Sequence, residues 1–312
     1  MSFDLDALKV AVAEHGRVTR VVIAEIRGSS PREAGAAMLV WQRRQSGTIG
    51  GGALEHAAAQ AARGQTGRTH LSRHALGPEL GQCCGGAVVL VSEVYDAEAV
   101  AALEGAVIAR PVAAAAEMPL AVRRLLDRAR AQGLRPEPQL IDGWMVEPVA
   151  RPARDLWIWG AGHVGRALVD VLSPLPDLAI TWVDYAAERF PGRVPEAVAV
   201  LPAANPADLV RHAPEAAEHL IVTYSHALDL ELCHRLLSHG FGFAGLIGSA
   251  TKWARFRSRL RALGHGPEAI ARITCPIGAP SFGKHPQQIA IGVAAQLLRP
   301  AARAAQTKER RA

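Results

Sequence analysis

Cys83 and Cys84 stand side by side within Gly81-Gln82-Cys83-Cys84-Gly85-Gly86, and two thiols among glycines suit soft chemistry. Flanking glycines let the backbone approach a ligand closely and adopt positive φ. Adjacent Cα atoms lie about 3.8 Å apart, whereas unstrained disulfides span roughly 4.4–6.8 Å. The pair therefore does not read as a structural disulfide. It reads as a place to capture a metal, a sulfur or a dithiolene, against the competing reading of a free cysteine as a small core hydrophobe. Cys233 and Cys275 are isolated, and the absence of CxxC and HExxH argues against a structural zinc site.

A second group of chemical residues lies in the other half of the chain. Gly160-Ala161-Gly162-His163-Val164-Gly165 follows a short apolar run and fits G-x-G-x-x-G. The first glycine permits the tight turn, the second the close approach of a phosphate, and the third helix–strand packing. A helix starting there offers backbone N–H groups and a positive dipole end to an anion. Asp184 follows Gly162 by 22 residues, where an acid would hydrogen-bond a ribose hydroxyl. Beyond later apolar runs come Tyr224-Ser225-His226 and Gly245-Leu246-Ile247-Gly248-Ser249, the latter leading to Lys252. In an open α/β sheet, ligands bind beyond the carboxyl ends of the strands. Gly160–Gly165, His226 and Ser249–Lys252 are thus expected to converge on one crevice, with His226 a ligand contact or a loop histidine bonded to Asp229 or a nearby carbonyl, and Lys252 a phosphate contact or a surface charge.

The first half adds two glycine turns. Gly28-Ser29-Ser30-Pro31-Arg32 offers hydroxyls and a guanidinium that can fork onto phosphate. Thr48-Ile49-Gly50-Gly51-Gly52-Ala53-Leu54-Glu55 places three glycines before a helix, a candidate anion nest.

Positioning these loops calls for two domains, as a length of 312 residues also suggests. A seam is expected near residue 150, because Gly133, Pro136, Pro138, Gly143, Pro148 and Pro152 read as irregular backbone or linker. Before it, helices are expected over 4–14, Leu54–Arg63, Glu98–Ile108 and Leu120–Gln132. Strands are expected at Val18–Ile26, Ala37–Trp41 and Ala87–Val94, giving a mixed α/β domain over 1–150. After it, strands at Leu156–Trp159, Ala179–Val183, Ala197–Leu201, Leu220–Tyr224 and Phe243–Ile247 alternate with helices. Those helices are Val164–Leu172, Pro206–His212, Asp229–His239 and Thr251–Leu263, with Pro286–Leu298 closing the domain. Continuous apolar strands alternating with helices predict a parallel sheet covered on both faces, hence a Rossmann-like domain over 151–298.

The net charge of +6 is mostly local, since residues 299–312 carry five Lys or Arg against one Glu. That segment reads as a solvated, disordered tail, and without aromatic–basic interleaving it does not point to nucleic acid. No apolar run reaches a membrane-spanning length of about 18 residues. Four cysteines and an acidic, untargeted first segment set the expectation of a cytoplasmic protein.

With these motifs in order, the chain resembles the XdhC/CoxI family, in particular its accessory proteins of bacterial xanthine dehydrogenase, to about Leu298. Gly28–Arg32, Ile49–Glu55 and Cys84-Gly85-Gly86 resemble the family's first domain. Gly160–Gly165, Ser225-His226-Ala227-Leu228-Asp229, Gly245–Ser249 with Lys252, and Cys275-Pro276-Ile277-Gly278 resemble its Rossmann-like domain. One departure is that Gln288 and Gln296 stand where glutamate is expected.

The resemblance implies a chaperone without turnover of its own. It would bind molybdenum cofactor (molybdopterin) as cargo, hold it while a terminal oxo ligand is exchanged for sulfur, and deliver it to apo-xanthine dehydrogenase. A cysteine desulfurase and cofactor-biosynthesis proteins are the implied further partners. Cys83 or Cys84 would be a transient molybdenum ligand or a persulfide carrier, with Arg32 as a cation favouring thiolate. Apolar strands at a sheet edge point to a homodimer. Two rival readings are an NAD(P)-dependent oxidoreductase and a nucleotide-sensing Rossmann module.

Overall fold

A computed structural model describes residues 2–77, 85–112 and 117–299, so Cys83 and Cys84 lie outside the described residues. The chain divides into two compact units, Met1–Ala150 and Arg151–Ala312.

In the first unit, α1 (Leu5–His15) leads into β1 (Val18–Arg27), β2 (Ala37–Trp41), β3 (Arg44–Gly47), α2 (Gly52–Gly64), β4 (Thr69–Ala75) and β5 (Ala87–Tyr95). The five strands form an antiparallel sheet in the order β3-β2-β1-β5-β4. Strand β1 is central because its residues bury on both faces. Val21 and Ile23 pack with Leu54, Ala58 and Ala62 of α2, while Val22 and Ala24 pack with Val89, Val91 and Met145.

The unit continues with α3 (Ala97–Ala101), β6 (Val107–Pro111), α4 (Leu120–Gln132), β7 (Gln139–Ile141) and β8 (Trp144–Pro148). Here the structure departs from sequence expectation twice. The helix expected over Glu98–Ile108 stops at Ala101; Gly105 takes φ +95°, and the β-branched Val107 and Ile108 enter a strand. The stretch expected to be irregular holds β7 and β8, in a small antiparallel sheet ordered β6-β8-β7. Its prolines fall where strands tolerate them, before β7 and at the last position of β8. Asp142 and Gly143, at φ +47° and +79°, make the two-residue hairpin turn.

A buried ionic knot ties these strands together. Arg20 donates to both oxygens of Glu147 at 3.0 and 2.7 Å, and Arg110 bridges Glu93 and Glu147. Phe3 lies under both guanidinium groups, and the two arginines hold the Glu147 carboxyl below its usual range despite its burial.

The second unit runs β9 (Arg154–Trp159), α5 (His163–Leu172), β10 (Leu178–Asp184), β11 (Val198–Pro202), β12 (Glu218–Ile221) and α6 (His226–His239). It continues with β13 (Phe243–Leu246), α7 (Ala250–Ala262), α8 (Pro267–Ala271), β14 (Ile273–Thr274) and α9 (Pro286–Leu298). The segment Pro206–His212, expected as an α-helix, is a 3₁₀ helix. All paired strands are parallel, in the order β11-β10-β9-β12-β13-β14. Successive residues of β9 feed opposite cores. Leu156 and Ile158 pack with Leu168, Leu172 and Val293, whereas Trp157 and Trp159 pack with Leu232, Leu236 and Phe256. The chain is α/β, with a doubly wound parallel sheet after an antiparallel-sheet unit. Strand order reverses at β9, which has β10 on one side and β12 on the other, and in such sheets ligands bind there.

Candidate functional site at the carboxyl ends of the parallel strands

The Gly160–Gly165 turn joins β9 to α5, and its glycines do different work. Gly160 has φ +117°, and a Cβ there would lie 2.7 Å from the carbonyl oxygen of Val222 beyond β12. A Cβ on Gly165 would meet the Gly160 carbonyl oxygen at 1.9 Å, so only glycine lets α5 pack this close. Gly162 is different: φ is −74°, nothing lies within 4 Å of an added Cβ, and no side chain caps the helix it opens. His163 is exposed at the first turn. The start of α5 thus presents an uncapped helix end over open space, an arrangement suited to an anion.

Asp184 departs from its expected role. It is 4% exposed, and its two oxygens accept from the Ala161 amide at 2.5 Å and the Tyr185 amide at 2.7 Å. The carboxylate holds the glycine turn by satisfying an amide that Ala161, itself wholly buried, would otherwise leave unpaired. Arg189 lies beside it, with Nε 3.7 Å from Oδ2.

Beyond β12 and β13 a polar cluster knits two loops together. Thr223 Oγ1 donates to Asp229 Oδ1 at 2.7 Å, and Lys252 Nζ donates to Asp229 Oδ2 at 2.6 Å and to the Ile247 carbonyl at 2.9 Å. Lys252, the candidate phosphate contact, is therefore the counter-ion of a carboxylate with no exposed surface. The cause is burial: a carboxylate group taken out of water needs a paired partner, and Lys252 is the cation beside Asp229. Ser249 caps α7 by accepting from the Lys252 amide, and Ser225 caps α6 in the same way for Leu228. His226 is exposed at the first position of α6, and its ring has no hydrogen-bond partner among the described residues. Burial pushes the Cys275 thiol up to about 11, with Lys252 opposing, and raises that of Cys233 further.

In the first unit the triple-glycine segment is filled from within. Glu55 accepts from the Ile49 and Gly51 amides, both at 3.0 Å, and from Thr48 Oγ1 at 2.5 Å. The expected anion nest holds the protein's own carboxylate. The triple-glycine segment and Gly86 both approach the Gly28–Arg32 segment. A Cβ on Gly28 would lie 3.3 Å from Gly86 Cα, and one on Gly50 would lie 2.7 Å from Pro31. Ser30 Oγ is buried there with no partner among the described residues, and Arg32 pairs with Glu33 at 3.3 Å. The sequence joins this point to the two cysteines through Gly85.

The glutamines of α9 do work a carboxylate would do. Gln296 Oε1 accepts from the Gly278 amide at 2.7 Å, and Gln288 Oε1 accepts from the His285 amide at 3.2 Å.

Two exposed tyrosines were not singled out from the sequence. Tyr185 follows β10 directly and Tyr224 lies beyond β12, with ring centroids 5.8 Å apart and Arg189 5.5 Å from each. The available signal was that two of the chain's three tyrosines follow apolar strands of the second half.

The fold and this turn define a doubly wound α/β domain of the dinucleotide-binding kind, preceded by an antiparallel-sheet unit. Residues 156–297 match the XdhC Rossmann domain, and residues 11–74 match the XdhC and CoxI family. The chain belongs to the XdhC and CoxI family. It is 29% identical over 140 residues to the uncharacterized protein YqeB of Escherichia coli K12, a stretch that covers 45% of this chain and 26% of that one. It is also similar to the crystal structure of a xanthine dehydrogenase from Bacillus halodurans, with TM-score 0.73 and 19% identity, covering 97% of this chain and 96% of that one. At that identity the likeness is one of fold. Among the described residues, no helix is long and apolar enough to cross a membrane.

Proposed function

We propose that this protein is an accessory factor for a xanthine dehydrogenase. It takes up molybdenum cofactor as cargo, retains it while a cysteine desulfurase supplies the sulfur that replaces a terminal oxo ligand, and delivers it to the apoenzyme. The observation that carries this reading is the uncapped, open start of α5 at the switch point of the parallel sheet, in a chain of this family. Molybdopterin carries a phosphate, which such a helix start accommodates. Its dithiolene-bound molybdenum is soft, and Cys83 and Cys84 are soft side chains in a glycine-rich stretch of the sequence. They serve as transient molybdenum ligands or as persulfide carriers.

The dinucleotide fingerprint favours an NAD-dependent oxidoreductase as a second reading. Against it, both oxygens of Asp184 bind backbone amides rather than facing a ribose.

The test is transfer. Protein purified from cofactor-producing cells is mixed with apo-xanthine dehydrogenase, and the recovered xanthine oxidation is measured. Wild type restores activity; Cys84→Ala restores less, with a smaller loss for Cys83→Ala, and Cys84→Ser does not rescue, because a hydroxyl is a harder ligand and carries no persulfide. A double Cys83→Ala/Cys84→Ala variant that activates like wild type would remove the thiols from the account.

A further inference from the structure

Strand β9 ends in the Gly160–Gly165 turn and is flanked by β10 and β12. Tyr185 stands immediately beyond β10 and Tyr224 three residues beyond β12. Their rings meet edge to face, with centroids 5.8 Å apart and planes at 61°, although the two strands they follow have β9 between them. Tyr224 is 71% exposed and Tyr185 40% exposed, so neither ring is needed to fill a core. Arg189 completes the group, 5.5 Å from both ring centroids. Asp184 lies 3.7 Å from its Nε, and Arg166 Nη2 holds its carbonyl at 2.8 Å. Arg189 Nε is buried with no hydrogen-bond partner among the described residues.

We infer that Tyr185, Tyr224 and Arg189 form the stacking platform for the flat, nitrogen-containing bicyclic ring of the ligand whose phosphate lies on the Gly160–Gly165 turn. This rests on the proposed reading that the second unit holds a phosphorylated cargo. Exposed aromatic faces and a fixed guanidinium attract such rings through stacking and cation–π contact, with little dependence on which ring edge is presented. A pterin and an adenine share this chemistry. A ring on the platform and a phosphate at the uncapped start of α5 would be held at the two ends of one ligand. The site would then grip the ring by its face, since Asp184 is turned into the protein and offers no edge contact.

The experiment uses the full chain as wild type, Tyr224→Ala, Tyr224→Phe and Tyr185→Ala, each checked by thermal melting. One arm measures pterin per protein after purification from cofactor-producing cells; the other titrates ADP calorimetrically. Each alanine variant is expected to lower pterin retention or ADP affinity roughly tenfold, and Tyr224→Phe to stay within about twofold of wild type. Melting temperatures should be unchanged, because the rings are exposed. Pterin loss on alanine substitution supports the platform and the cargo reading together. A wild type without pterin that binds ADP in a tyrosine-dependent way supports the platform and overturns the cargo reading. A wild type that carries pterin, with alanine variants equal to it, overturns the platform alone, whereas a pterin-free wild type that binds ADP equally with its alanine variants overturns both. Absence of both ligands from wild type overturns both.

Discussion

Replacing Lys252 with methionine separates a structural cation from a ligand-binding one. Lys252 Nζ lies 2.6 Å from Asp229 Oδ2, with the lysine side chain 11% exposed and the aspartate fully buried. Methionine keeps much of the stem but leaves Asp229 with only the Thr223 hydroxyl on its other oxygen. Orphaning one member of a buried pair costs about 3–5 kcal/mol. For a unit of this size that lowers the melting temperature by roughly 6–20 °C. The assay is urea unfolding followed by the fluorescence of Trp157, Trp159 and Trp182, which are all buried in the second unit. Adding Asp229→Asn removes the stranded charge while keeping the Thr223 hydrogen bond, and should recover about half of the loss. A loss below about 1 kcal/mol for Lys252→Met would refute the reasoning, because the pair would then behave as a surface ion pair. If ligand retention then collapsed as well, Lys252 would be the phosphate contact its sequence position suggested.

Glu55→Gln should destabilise the first unit by about 1 kcal/mol at pH 7, a figure already discounted for solvent screening. Burial opposes ionisation of Glu55, but the bonds from Thr48, Gly51, Ile49 and Gln45 outweigh it and hold the carboxyl below its ordinary 4.5. Its contribution is therefore present above pH 4.5 and lost as pH falls through the depressed value, so the variant's unfolding should vary less with pH there; an identical acid profile would contradict this. Iodoacetamide at pH 7.5 should label neither Cys233 nor Cys275 in the folded protein, since burial keeps both thiols protonated. Rapid alkylation of either, read by peptide mass spectrometry, would show that its thiol ionises in the folded protein and would contradict this.

The second unit was legible because its signals were local and agreed with one another. Apolar strands such as Leu156–Trp159 have the continuous hydrophobicity of a sheet covered on both faces, and the glycine spacing marks the turn that follows. The first unit was less so. A proline-rich run hid β7 and β8, although Asp142-Gly143 carried a hairpin signal between them. Side-chain partnerships were hidden altogether, because they depend on residues distant in sequence. Nothing near Lys252 announces Asp229 as its partner, and nothing near Asp184 shows that its carboxylate would be taken by the amide of Ala161. Glu55 was in plain view beside its glycines, yet only the folded turn reveals that it fills their nest. In sequence, acids and bases near strand ends resemble ligand contacts, whereas in the fold burial makes Asp229 and Lys252 each other's partners.

The most direct measurement is the molybdenum and pterin content of wild type and Gly162→Asp, both purified from the same cofactor-producing cells. Gly162 has φ −74° and open space around an added Cβ, so aspartate fits without strain. It would cap α5 and raise stability by about a few tenths of a kcal/mol. The same carboxylate would occupy and repel the phosphate position. The account predicts that wild type carries both molybdenum and pterin, and that Gly162→Asp loses them while melting at the same or a higher temperature. Equal content in the two proteins, or none in either, would contradict it.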